Sequence, residues 1–398
     1  MATRVLFLGH GAERTGPPLV LAGLLEGLAA EAAWDLQVLV ARGGPLEDRY
    51  RAAGATVRAV AAGREPLEPL AAGLRRAHLS AFAARLQRAA RRRAATSMGP
   101  ADLVYVNAAT PPTAALVRAL DPPATVPVVV HVHELDVGLR RTLAADDLAL
   151  LLGRADRLLA VSDAVADLLV DGHGVAADRI DVCPGFVDLD AHPALERAAA
   201  RRRLGLPADA AVVGSVGVPD WRKDPEHLLR AVAQLADRPG GAPHVVWIGG
   251  DPTSTDGIHL ADEAARLGLS DRVVHVAHLD DPRAVLSALD VFALPAREDA
   301  MPLAVLEAAA AELPVVAFRT GGAAGLCDAG AGTAVDYPRT DALAAAIATY
   351  LDDPDLARRT GRAGRALVEA DHGAPAGVAR ISAALRSVLD GRAPTLSP

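Results

Sequence analysis

Residues 291–325 read VFALPAREDAMPLAVLEAAAAELPVVAFRTGGAAG. The apolar run Val291–Leu294 has the length of a buried strand rather than a helix. The loop over 295–301 carries Arg297, Glu298 and Asp299. Pro302 stands where a helix begins: its fixed φ suits the first turn, and its missing N–H is not needed there. The helix runs from Leu303 to Glu312, Pro314 closes it, Val315–Phe318 forms the next strand, and Gly321 and Gly322 follow at once. Strand, acidic loop, helix start and glycine pair make up one turn of an open α/β sheet. In such sheets ligands bind outside the carboxyl ends of the strands.

The same alternation extends in both directions. Arg4–Gly9 reads as a strand, GHGAERTGPP as a loop, and Leu19, Leu24, Leu25 and Leu28 as a helical stripe. A strand over 35–41, a helix over 45–53 and a strand over 55–61 follow, then a long helical stretch over 67–95. Strands come at 103–107, at 126–132 and at 157–162, the last leading into a helix with Ser162 or Asp163 as N-cap. After a strand at 179–183, Pro184-Gly185-Phe186-Val187-Asp188 marks a domain boundary. The scheme then repeats, with strands at 212–217, 244–248 and 272–279, a helix from about Pro225, and mainly helices after 332. The reading is an α/β protein of two Rossmann-like domains, 1–187 and 188–375. An amphipathic helix over 376–390 crosses back to the first domain, and a tail ending at 398 is disordered by composition.

With 398 residues, half of them apolar, the chain has length and apolar content for two cores. A net charge of −8 argues against a general nucleic-acid binder. Cys183 and Cys327 lie in apolar surroundings and read as buried thiols of a reducing compartment. The opening MATRVLFLGHG has too short an apolar run for a signal peptide, and no run suffices to span a membrane, so a cytoplasmic location is expected. Basic charge is almost entirely arginine, and Lys223 is the single lysine. Seven arginines, from Arg75 to Arg93, crowd the stretch 73–99 without one acidic residue, beside the apolar stripe Leu79, Phe82, Leu86 and Ala90. Such a helix suits a solvated arginine-rich surface first, with docking on anionic lipid headgroups at the inner face of a membrane, or on an acidic acceptor, as the other readings.

The residues suggest handling of a sugar nucleotide. Unpaired amides at a helix start, with the helix dipole behind them, favour a pyrophosphate. Glu307, further along that helix, is placed to accept hydrogen bonds from two ribose hydroxyls, and Glu298 or Asp299 to hold hydroxyls of a transferred sugar. Lys223, in the strand-to-helix loop Val218-Pro219-Asp220-Trp221-Arg222-Lys223, offers a point charge that reaches both phosphates of a leaving nucleotide. An NAD site fits poorly: after Gly9 and Gly11 the third glycine position is Arg14, and no acidic residue closes the following strand. His131 and His133 share one face if their strand continues, as a metal pair or as hydrogen-bonded core histidines, and no third ligand follows at a recognised spacing. Asp280, Asp281 and Pro282 read as a helix cap.

The stretch resembles the signature of the retaining glycosyltransferases of family 4, in which two acidic residues are separated by seven. Asp299 and Glu307 have that spacing, and Glu298 stands one place early. The family's Gly-Gly-x-x-Glu is matched by Gly321 and Gly322, with Gly325 in place of the glutamate. Of the basic pair around the lysine loop, Lys223 matches the second member, Val218 occupies the place of the first, and Arg222 is a substitute. The resemblance implies the GT-B architecture, two facing Rossmann-like domains with an interdomain cleft. It implies a donor site built from Gly16, Arg222, Lys223, His278, Leu279, Met301, Pro302, Leu303 and Glu307. Catalytic positions would be His133 with Glu298 and Asp299, and Arg14, Thr15 and Glu134 would lie on the acceptor side. It further implies metal-independent transfer of a hexose from a UDP- or GDP-sugar, with no cofactor beyond that co-substrate, to a glycan, lipid or small-molecule hydroxyl. A silent nucleotide- or sugar-binding protein and a sugar-nucleotide epimerase stay open beside it.

Overall fold

The computed structural model describes residues 2–61, 80–189, 195–277, 279 and 281–391. They form two compact units, one comprising residues up to Pro184 together with those from Ala374, the other Gly185–Gly373. The sequence reading placed these divisions at 187/188 and 375/376. Within the second unit the two ends of the segment lie side by side: Val187 N donates to His372 O at 2.9 Å, and His372 Nδ1 donates to Gly185 O at 3.0 Å.

The first unit is a seven-stranded parallel sheet of β1 (Thr3–Gly9), β2 (Trp34–Arg42), β3 (Thr56–Ala61), β4 (Leu103–Asn107), β5 (Val128–Val132), β6 (Arg157–Ala160) and β7 (Ile180–Val182). Its strand order is β3-β2-β1-β4-β5-β6-β7. The second unit has six strands, β8 (Val212–Val216), β9 (His244–Ile248), β10 (Val273–Val276), β11 (Val291–Leu294), β12 (Val315–Phe318) and β13 (Gly332–Val335), in the order β10-β9-β8-β11-β12-β13. Both orders reverse once, at β1/β4 and at β8/β11, which is the doubly wound pattern.

The inner strands β11 (VFAL) and β12 (VVAF) are continuous apolar runs, buried throughout, because both faces of their sheet are covered. In the second unit alternate residues enter different cores: Val246 and Ile248 join Phe292, Leu294 and Leu306, whereas Val245 and Trp247 join Val291, Ala293 and Leu228. The helix Ala374–Asp390 belongs to the first unit, packing on the helix Gly16–Ala30, where a Cβ at Gly27 would lie 2.5 Å from Val378.

Several boundaries differ from the sequence reading. The strand at 126–132 begins at Val128, because Pro127 has no N–H for the ladder. The strand at 272–279 ends at Val276. The helix from Leu303 ends at Ala310, and Glu312 follows in the left-handed region (φ +59°). Of the long helix, Ser80–Thr96 is described, while Arg75, Arg76 and Leu79 lie outside the described residues, as do His278, Asp280 and the tail.

Candidate functional site

In the second unit, the loops leaving β8 and β11 stand beside each other at the point where the strand order reverses. The β8 loop carries Arg222 and Lys223 and leads into the helix Pro225–Ala233. The β11 loop carries Arg297, Glu298 and Asp299 and leads into the helix Leu303–Ala310. One oxygen, Asp299 Oδ2, receives both Lys223 Nζ (2.7 Å) and Arg222 Nη1 (2.8 Å). Burial alone would raise the Asp299 pKa, but the charges of Lys223 and Arg222 outweigh it and hold the carboxyl below its ordinary value. Arg222 also donates to Glu298 O, and Arg297 N donates to Arg222 O at 2.9 Å, so the loops are joined along their length. The Lys223 stem lies over Gly217, where a Cβ would come within 2.9 Å of Lys223 Cε.

Asp224 supports this arrangement, and the sequence reading missed it. It sits in the left-handed region (φ +50°) with its side chain 1% exposed, Oδ2 being 2.7 Å from His227 Nδ1 and 3.0 Å from Arg297 Nε. The Arg297 guanidinium lies 5.3 Å from the centre of the Trp221 ring. The sequence carries no signal for this, since the residue before a proline is ordinarily extended and an aspartate there reads as a helix cap.

The helix Leu303–Ala310 starts without a side-chain cap: Pro302 is its N-cap and makes no side-chain hydrogen bond. Met301 and Leu303 are partly buried and pack against Gly185. Glu307 is pushed up to about 7, by burial first and by Asp281 in addition, against the opposing charge of Arg283. Asp281 accepts from Arg283 N and from its guanidinium, as expected for a residue fixing a helix start. Leu279 is partly buried against the same core.

In the first unit the polar groups collect where β1, β4 and β5 end, Gly9, Asn107 and His131 being lateral neighbours. His131 is a core residue. The Cys183 carbonyl can only accept, so Nε2–H donates to it (3.3 Å), and the Tyr105 hydroxyl donates to Nδ1 (2.6 Å). Burial brings its pKa down to about 4. The His133 ring lies tilted against it, with ring centres 4.1 Å apart, and burial followed by the charges of His131 and His10 depresses its pKa as well. His133 Nε2, His10 Nδ1, Glu13 Oε2 and Asn107 Oδ1 are buried atoms with no hydrogen-bond partner among the described residues. His10 and Glu13 were not singled out from sequence, although a polar residue directly after a buried strand is a signal that marks His10. Arg14 and Thr15 are exposed, and Thr15 N donates to Glu13 O at 2.8 Å. Gly16 opens the helix Gly16–Ala30, and nothing lies within 4 Å of a Cβ built there.

Glu134 braces the site. Its Oε2 accepts from Ala109 N and from His133 N, each at 3.0 Å, and burial raises its pKa to about 7. A carboxyl whose folded pKa is raised contributes stability fully present below its unfolded pKa, and that contribution is lost as pH rises through about 7. Relative to Glu134→Gln, the wild-type protein is therefore expected to lose about 2 kcal/mol between pH 5 and 8. Thermal melts of both proteins across that range check this, and a constant difference would overturn it.

On the other side of the first unit, a groove of about 510 Å³ between the helices Ser80–Thr96 and Pro111–Leu120 is lined by Arg88, Arg91, Arg92 and Arg118, with Asp121. No helix among the described residues is long and apolar enough to cross a membrane.

Comparison with known proteins agrees with this organisation. Residues 16–191 match the profile described as Glycosyltransferase Family 4, and residues 196–367 the one described as Glycosyl transferases group 1. The D-inositol 3-phosphate glycosyltransferase of Acidothermus cellulolyticus is 34% identical over 319 residues, covering 76% of this chain and 70% of that protein. The protein of the same name from Nocardia farcinica is 36% identical over 219 residues, 53% of this chain and 48% of its own length. Across that relative and two further D-inositol 3-phosphate glycosyltransferases, from Catenulispora acidiphila and Kineococcus radiotolerans, the chain spans between 48% and 61% of their length. Among solved structures, Anabaena HepE in complex with UDP-glucose superposes with a TM-score of 0.79 at 20% identity, over 96% of this chain and 99% of that one. Sucrose-phosphate synthase from Thermosynechococcus elongatus gives 0.76 at 22% identity, over 98% and 100%. Two doubly wound units with these neighbours define the two-domain Rossmann-like fold called GT-B. The chain belongs to glycosyltransferase family 4.

Proposed function

We propose that the protein is a retaining glycosyltransferase that moves a hexose from a UDP- or GDP-sugar to a hydroxyl of a glycan, lipid or small molecule. It would serve cell-surface glycan, glycolipid or secondary-metabolite synthesis at the cytoplasmic side of a membrane. The observation that carries this reading is the convergence of Lys223 and Arg222 beside an uncapped helix start at the β8/β11 reversal. That combination supplies positive charge to a diphosphate without a metal or another cofactor. Glu307 would take the ribose, Leu279 would border the base, and Glu298 or Asp299 the transferred sugar. Gly16 and His133, with Arg14, Thr15 and Glu134 nearby, would serve the donor phosphates and the acceptor.

In this reading the acceptor oxygen bonds to the anomeric carbon as the bond from that carbon to the diphosphate oxygen breaks. The electron pair leaves on the diphosphate, and a phosphate oxygen on the same face takes the acceptor proton, which retains configuration. The UDP-glucose bound by HepE supports a UDP-sugar donor, and the relatives' name supports a cyclitol phosphate among the acceptors to be tried. The arginine-lined groove supports peripheral contact with anionic lipid.

The test is a panel of UDP- and GDP-hexoses with and without acceptors, inositol phosphates included, read by NMR for anomeric configuration. Transfer with retention is expected. Binding without turnover would identify a silent binder, and an isomerised nucleotide sugar without acceptor an epimerase. In the same series, the protein is expected to sediment with phosphatidylglycerol vesicles and not with phosphatidylcholine ones, less so as salt rises. Equal partition would remove the membrane contact.

A further inference from the structure

We propose that Asp299 is a resident counter-ion for Lys223 and Arg222, which a nucleoside diphosphate displaces from the two cations as it binds. This deepens the functional reading above and rests on it. Both cations converge on one oxygen, at 2.7 and 2.8 Å, in the way two cations would meet one phosphate oxygen. The Asp299 and Lys223 side chains are only 13% and 9% exposed, so little water screens the pair.

The partners are unequally fixed. Asp299 is held by its backbone: it pairs with Gly321, and its carbonyl accepts from Gly322 N at 3.3 Å. Lys223 and Arg222 reach it at the ends of long stems, the Lys223 stem running over the bare Cα of Gly217. Exchange therefore moves the cations and leaves the carboxylate in place.

The consequence concerns where binding energy is used. A buried pair has a small net stability, because desolvation nearly cancels attraction. Handing the cations to a diphosphate is correspondingly near balance, and the remaining Asp299 charge opposes the anion. Ground-state donor binding is kept weak, and the cations respond most when the leaving diphosphate gains charge in the transition state. Asp299 acts through Lys223 and Arg222, as a positioning residue.

Asp299→Asn keeps the shape and removes the competing charge. UDP is expected to bind the variant at least tenfold more tightly than the wild-type protein, measured by calorimetry. The dependence of log Kd on log[KCl] should become steeper, because a cation once neutralised from within is now neutralised by ligand. A purely structural role, or a direct contact to the sugar, predicts UDP binding that is weaker or unchanged, and that result overturns the proposal. If the wild-type protein binds no nucleoside diphosphate, it is the functional reading that fails. The variant leaves two cations without their carboxylate and can unfold. The comparison is then Lys223→Met against Lys223→Met/Asp299→Asn, where the second change must still tighten UDP through Arg222.

Discussion

Lys223→Ala is expected to lower kcat/KM for the sugar-nucleotide donor by about 10²–10³-fold, the effect of removing one preorganised charge from a developing oxyanion. The ammonium is buried, its stem is seated over Gly217, and its loop is fixed by Lys223 N donating to Asp220 Oδ1 at 2.9 Å. Once the ammonium has passed from Asp299 to the diphosphate, a charge anchored in this way needs little further reorganisation as the diphosphate leaves. If it acts mainly on the charge that develops, kcat falls more than donor affinity. The fold should survive, because Asp299 keeps Arg222 at 2.8 Å after the lysine is removed. Steady-state kinetics of transfer, or of donor hydrolysis, beside a thermal melt provide the check. An unchanged kcat/KM in a folded variant would show that the phosphates are held elsewhere.

The parallel sheets were legible because a strand buried on both faces must be a continuous apolar run, as in Val291–Leu294 and Val315–Phe318. Lys223 was conspicuous for being unique. The pairing of Lys223 with Asp299 was not legible: the residues are 76 positions apart, and only the reversal of strand order at β8/β11 brings their loops together. Asp224 was hidden for a different reason. An aspartate before a helix-starting proline normally reads as an exposed cap, whereas here the backbone turns left-handed and directs the carboxyl inward. His10 and Glu13 fall in a loop whose spacing matches no phosphate motif, and the segment carrying Glu13 packs on the end of β2 and the loop after it, where Leu46 N donates to Ala12 O and Arg42 lies 3.2 Å from Glu13.

Gly361→Ala is expected to destabilise the second unit by about 3 kcal/mol, at the upper end of overpacking costs. Gly361 lies in the helix Pro354–Asp371, and a Cβ there would stand 1.8 Å from the carbonyl oxygen of Glu312. That oxygen is backbone, in the left-handed turn following the helix Leu303–Ala310, so relief requires moving a segment and not a rotamer. Alanine's helix propensity returns at most about 1 kcal/mol. Gly364, three residues on, is the internal control: its Cβ would meet Ala331 Cβ at 3.1 Å and Ala309 Cβ at 3.4 Å, so a slight adjustment suffices. Gly364→Ala should therefore change stability by less than about 1 kcal/mol, because propensity offsets crowding. At Gly153, in the helix Ala145–Arg154, nothing lies within 4 Å of a Cβ, and the same substitution should stabilise. Calorimetric melting of the three variants then orders them by approach distance alone. Gly361→Ala should fall by about 6–12 °C, using about 2–4 °C per kcal/mol for a unit of this size. If it melts with the wild-type protein, the helix Pro354–Asp371 does not press on the Glu312 turn, and the exit of the helix Leu303–Ala310 is supported by something else.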